Sequence, residues 1–267
     1  MKQLWLGLTF LALVLTACDG GFDVHPEGAP PGADEIVGGK DVPLGDVRGF
    51  YVAKLAIEVD GKTAFCTATH VSDTVLLTAA HCFNNANTKN VRVVYRTYGL
   101  SLQSRLIKKL VIHEDYKRNE KSDLAFIQIF GLKPNTQRIL KMNFSRPKNS
   151  SFNLTSIGFG ITNAKVSRFN GVRGGGVLRA VTTRVTGYSD NQEDMFIDMT
   201  EGKGVNHGDS GGPGIYDVNG EPTILGVARS VDEIKDGSTT YFKTRATYTP
   251  LSFHKNWTLK NLNALTK

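Results

Sequence analysis

An all-β fold, a barrel or sandwich with one C-terminal helix, is what the sequence predicts. From Ile36 onward the apolar runs are short, rich in Val, Ile, Tyr and Phe, and bounded by Gly, Asn, Asp and Pro. They fall at Tyr51–Ile57, Val75–Leu77, Val91–Tyr95, Leu106–Ile112, Leu124–Ile129 and Val177–Val185, and several alternate apolar with polar. Short alternating segments between turn residues are strands with one buried face. The one exception follows Pro250, where Phe253, Trp257, Leu262 and Leu265 lie near a helical period. No motif repeats internally.

The N-terminal elements are of another kind. Lys2 precedes an apolar run, Leu4 to Leu15, broken by Gly7 and Thr9. Twelve residues are too few to span a bilayer and suit the apolar core of a signal peptide. Leu15-Thr16-Ala17-Cys18 then resembles the bacterial lipobox, which implies a signal peptide over residues 1–18 and a lipid on Cys18. The alternative is an ordinary cleaved signal peptide that contains a Cys. Both make the protein exported, either as a bacterial membrane-anchored lipoprotein or as a periplasmic or secreted protein after processing. Both permit disulfides downstream. Residues 19–35 read DGGFDVHPEGAPPGADE, a flexible acidic linker or propeptide rich in Pro and Gly. The domain proper is expected over residues 36–267.

Charge divides along the same line. The whole chain carries +7, from 32 bases and 25 acids. Residues 1–35 hold one base and five acids, leaving 31 bases and 20 acids, a net of +11, for the body. The excess is read as solubility or as attraction to anionic surfaces. The bases are spread, with no basic block interleaved with aromatics, so nucleic acid is not an expected partner. With 40% hydrophobic and 21% charged residues, the composition excludes a mostly disordered chain. Three cysteines cannot build a disulfide scaffold. No His-Glu-x-x-His or paired Cys-x-x-Cys is present, and Asn90 to Ile112 contains no acid, so neither metal nor cofactor is expected.

Three strings carry chemistry: Leu77-Thr78-Ala79-Ala80-His81-Cys82, Ser122-Asp123-Leu124-Ala125-Phe126-Ile127 and Gly208-Asp209-Ser210-Gly211-Gly212-Pro213. They place a His, an Asp and a Ser in that order, 42 and 87 residues apart. A serine hydroxyl holds its proton too tightly to attack unaided, and a neighbouring imidazole can take that proton. The set resembles the trypsin/chymotrypsin family of serine endopeptidases over about residues 36 to 265. The resemblance implies two six-stranded antiparallel β-barrels packed face to face, with the active site between them and a C-terminal helix. It implies His81 as general base, Asp123 as its orienting partner and Ser210 as nucleophile. It implies the Gly208 and Ser210 N–H groups as oxyanion donors and a Cys66–Cys82 disulfide bracing His81. A catalytically inactive binding protein of the same fold is the alternative. The expected partners are protein or peptide substrates, with possible membrane attachment through Cys18, and a monomer is expected.

Ile36-Val37-Gly38-Gly39 resembles the mature N-terminus of the family, where cleavage frees an ammonium that pairs with the Asp before the nucleophile. Here that pair is Ile36 and Asp209. Glu35 stands where family precursors usually carry Arg or Lys, so a protease of another preference is expected to act. By the same resemblance Gly204 lies at the base of the pocket for the side chain preceding the scissile bond. No Asp is there to select Lys or Arg. A gapless reading sets Val231 and Thr240 on the pocket walls, as in elastases, and Arg229 where a Ser usually supports the catalytic Asp. Shifting by one restores Ser230 and brings Asp232 to the wall. His207 is a candidate for the substrate cleft.

Overall fold

The computed structural model describes residues 36, 38–59, 61–84, 86–97, 101–131, 138–160, 176–236 and 240–267. The expectations for the signal peptide, Cys18 and the linker therefore fall outside the described residues. The chain forms two closed six-stranded antiparallel barrels. After a short strand β1 (Lys40–Asp41), the first barrel is built from β2 (Val52–Val59), β3 (Lys62–His70), β4 (Val75–Thr78), β5 (Val91–Arg96), β6 (Leu102–Ile112) and β7 (Ala125–Ile129). Its order is β2-β3-β4-β7-β6-β5, and β5 pairs back to β2. Alternation decides which face turns inward: Val91, Val93 and Tyr95 are buried while Arg92 is exposed.

The short strand β8 (Lys141–Met142) leads to the second barrel, made of β9 (Phe152–Gly158), β10 (Arg179–Tyr188), β11 (Met195–Asp198), β12 (Pro213–Val218), β13 (Glu221–Asp236) and β14 (Thr240–Pro250). Its ring runs β9-β10-β11-β14-β13-β12 and closes where β12 pairs with β9. β1 adds to β10, and β8 lies parallel to β13. Its core gathers Leu154, Val185, Met195, Ile197, Met199 and Tyr248, and the Tyr248 hydroxyl meets Ser156 Oγ at 2.7 Å. Ile157, Phe159, Leu178, Ile215 and Val227 join the core of the first barrel, so the apolar packing is continuous between the two.

The helix α1 (Lys255–Thr266) follows the second barrel but docks on the first. Trp257 stacks on Phe126 with ring centres 5.3 Å apart and on His113 at 4.6 Å. Gln128 Nε2 donates to the Leu265 carbonyl at 2.8 Å. Trp257 and Leu265 are buried as the helical period requires, but Phe253 is 48% exposed. The helix begins only at Lys255, so Phe253 belongs to the preceding turn and lies off the apolar stripe.

His70, inside the first barrel, has neither ring nitrogen hydrogen-bonded and sits edge-on to Tyr95. Burial pushes its pKa down to about 3. The native state holds it neutral while the unfolded state protonates it below about 6.5. Stability is therefore unaffected above that pH and falls between about 6.5 and 3. At pH 5 the cost is about 2 kcal/mol. Denaturant titrations of His70→Leu at pH 7 and pH 5 should show a smaller acid loss than wild type; an equal loss would refute this assignment.

Candidate active site

His81 stands on a single-turn 3-10 helix, Ala80–Phe83, directly after β4. The residues before it, Leu77 to Ala80, are fully buried and fix its position. Asp123 precedes β7 and is 1% exposed. Its Oδ1 accepts the His81 backbone N–H at 2.8 Å and its Oδ2 lies 2.6 Å from His81 Nδ1. An ionised carboxylate only accepts, so Nδ1 carries the proton and Nε2 is left with a lone pair.

Ser210 comes from the loop between β11 and β12. Its carbonyl accepts from Thr67 N at 2.8 Å, which ties the loop to the first barrel. The tie needs Gly211: its φ is +84°, and a Cβ there would fall 2.1 Å from Thr78 Oγ1 and 2.3 Å from the Thr67 carbonyl. Ser210 and His81 share the wall of one cavity of about 680 Å³. Among the described residues no hydrogen bond joins the two side chains, and neither Gly208 N–H nor Ser210 N–H is spent on an internal acceptor. The N–H of Ser210 and that of Gly208, two residues earlier, thus remain unspent.

Asp209 points away from the cavity and is 1% exposed. Its Oδ1 accepts from Gly160 N and its Oδ2 from Asn206 N, each at 2.8 Å. Ile36 is fully buried with φ +43°, and its carbonyl accepts from Gly39 N at 2.6 Å. An ion pair between Ile36 and Asp209 calls for a free amino group, which a chain joined to Glu35 lacks. Cys66 and Cys82 form a disulfide that links β3 to the turn bearing His81. Closing such a loop contributes about 3 kcal/mol. The sulfurs lie close to His81, but as a disulfide they offer no thiolate to a metal.

The cavity is lined by Val205, Asn206, His207, Ala228, Arg229, Ser230, Val231 and Asp232 besides His81 and Ser210. His207 and Val231 are among them. Gly204 is not among the lining residues: a Cβ on it would meet Met199 at 2.7 Å, so buried Met199 packs beneath it and the cavity wall begins at Val205. The Thr240 side chain lies outside the described residues. The two registers of the wall are reconciled by a bulge. Arg229 falls between the Ala228–Tyr248 and Ser230–Thr247 pairs, so both Val231 and Asp232 reach the cavity. Arg229 Nη2 lies 2.7 Å from Asp194 Oδ1, a partner no local pattern announces. Asp232 is held across the hairpin by Arg245, whose Nε and Nη2 both lie 2.7 Å from Oδ2.

The family model for trypsin matches residues 36–257. The chain belongs to the trypsin family. The heavy chain of a venom peptide isomerase from Agelenopsis aperta is 28% identical, the match covering 85% of this chain and all of that one. In this trypsin-family chain the barrels and the Cys66–Cys82 disulfide agree with the expectation, and Arg229 stands at the bulge beside the cavity.

Proposed function

We propose that the chain is an exported serine endopeptidase that works through an acyl-enzyme on Ser210. The observation that carries this reading is the His81–Asp123 pair set beside Ser210 in one cavity, with two unspent N–H donors. Ser210 Oγ attacks the peptide carbonyl as His81 Nε2 takes its proton. The Gly208 and Ser210 N–H groups receive the oxyanion, each worth about 3–4 kcal/mol in the transition state. His81 returns the proton to the leaving amine, and water repeats the sequence to release the acid. Cleavage before Ile36 would free the body from a lipid anchor at Cys18.

Two measurements test it together. A fluorophosphonate should label Ser210, and peptide substrates should be split with the gain of one water. A peptide of unchanged mass and altered retention would overturn the reading, because an isomerase leaves the mass alone.

The preference reading is for small aliphatic side chains before the scissile bond. Val205, Ala228 and Val231 supply an apolar wall, and the one acid there, Asp232, is neutralised by Arg245. Removing Arg245 should unmask the acid. Arg245→Ala is expected to raise kcat/KM for Lys and Arg substrates about tenfold relative to Ala substrates. A peptide-library profile unchanged by the substitution would remove Asp232 from the pocket.

A further inference from the structure

Asp209 is a buried carboxylate, and hydrogen bonds alone leave such a charge costly. It packs against β9, where a Cβ on Gly158 would fall 2.2 Å from Asp209 Oδ1. Gly158 is the Cα partner of Arg179 on β10. Directly paired residues of antiparallel strands project from the same face of the sheet. Arg179 therefore projects to the side of the sheet on which Asp209 lies. It is 4% exposed. Its Nη1 donates to the Val177 carbonyl at 3.0 Å, and its Nε stands 2.9 Å from Asp41 Oδ1. Asp41 is also its ladder partner on β1, five residues beyond Ile36. Burial lowers the guanidinium pKa to about 10 while the charge of Asp209 works to raise it, so Arg179 stays cationic at neutral pH. One buried cation thus meets the segment after Ile36 and lies on the side of the sheet that carries Asp209.

We propose that Arg179 is a positioning residue that gives Asp209 a cation from within the fold and holds the Gly208–Ser210 loop ordered while the Glu35–Ile36 bond is intact. This rests on the reading of Gly208 and Ser210 as oxyanion donors. Cleavage then adds a second cation to Asp209 instead of the first, and the uncleaved chain is already competent.

The test compares two forms of the protein: the chain from Asp19 with the Glu35–Ile36 bond intact by mass, and the chain beginning at Ile36. In the uncleaved form Arg179→Gln should slow fluorophosphonate labelling of Ser210 by at least about tenfold, the direction expected when a buried pair loses its cation. In the Ile36 form the loss should be below about threefold, since the ammonium substitutes for the guanidinium. Arg179→Lys should stay near wild type, and added Ile-Val dipeptide should restore the uncleaved Gln variant. Arg179→Met serves if the Gln variant does not fold. Equal losses in both forms, or no loss in the uncleaved one, overturn the proposal. If neither wild-type form labels, the hydrolase reading fails by itself, and Arg179 is judged by hydrogen exchange over residues 204–212. Protection there unchanged between wild type and variant overturns it.

Discussion

Asp123→Asn is expected to lower kcat by about 10⁴-fold while leaving the fold and substrate binding nearly intact. Asp123 uses both oxygens as acceptors, one for the His81 backbone N–H and one for the Nδ1–H. An amide has one oxygen and one NH₂ group. If the oxygen stays on the backbone N–H, the NH₂ faces Nδ1 and forces the proton onto Nε2. The imidazole is then blocked where Ser210 needs a base. If the amide turns the other way, two N–H groups meet at the His81 backbone. The variant should keep wild-type thermal stability within about 2 °C per 0.5 kcal/mol lost, a small change for a chain of this size. Activity above a hundredth of wild type would show that Asp123 is not the orienting group.

Ser210→Ala should lose more, on the order of 10⁴- to 10⁶-fold, because no oxygen remains to form the acyl-enzyme. It should also abolish fluorophosphonate labelling. Ser210 is held by its backbone, through the Thr67 N–H bond to its carbonyl and through the close approach at Gly211, so removal of Oγ leaves the loop in place. Peptide affinity should persist in the variant, measured by fluorescence anisotropy of a labelled substrate. Loss of binding along with turnover would mean that the loop had moved and that the comparison does not isolate the hydroxyl.

Much of the site is legible in the sequence because its residues sit in rigid local strings. Leu77 to Ala80 are fully buried just ahead of His81, and a Cβ on Gly208, Gly211 or Gly212 would collide with neighbouring backbone. Strands such as β5 announce themselves by alternation. What was not legible depends on pairing between distant segments. The bulge at Arg229 arises from the β13–β14 ladder, and nothing in Ala228-Arg229-Ser230 marks it. Asp232 looks like an open acid until Arg245 is brought across the hairpin, and Gly204 looks like a pocket floor until Met199 is packed beneath it. Phe253 fits a helical period and still lies outside the helix, because its position depends on where the first turn closes.

The helix α1 crosses from one barrel to the other. Phe126 belongs to the strand that follows Asp123, yet the ring that covers it, Trp257, comes from the helix beyond the second barrel. A chain interrupted before Lys255 leaves the back of the first barrel open, however complete its twelve barrel strands. The first barrel therefore completes its core only with a segment that lies beyond the last strand of the second barrel, so neither barrel is a self-contained half of the molecule.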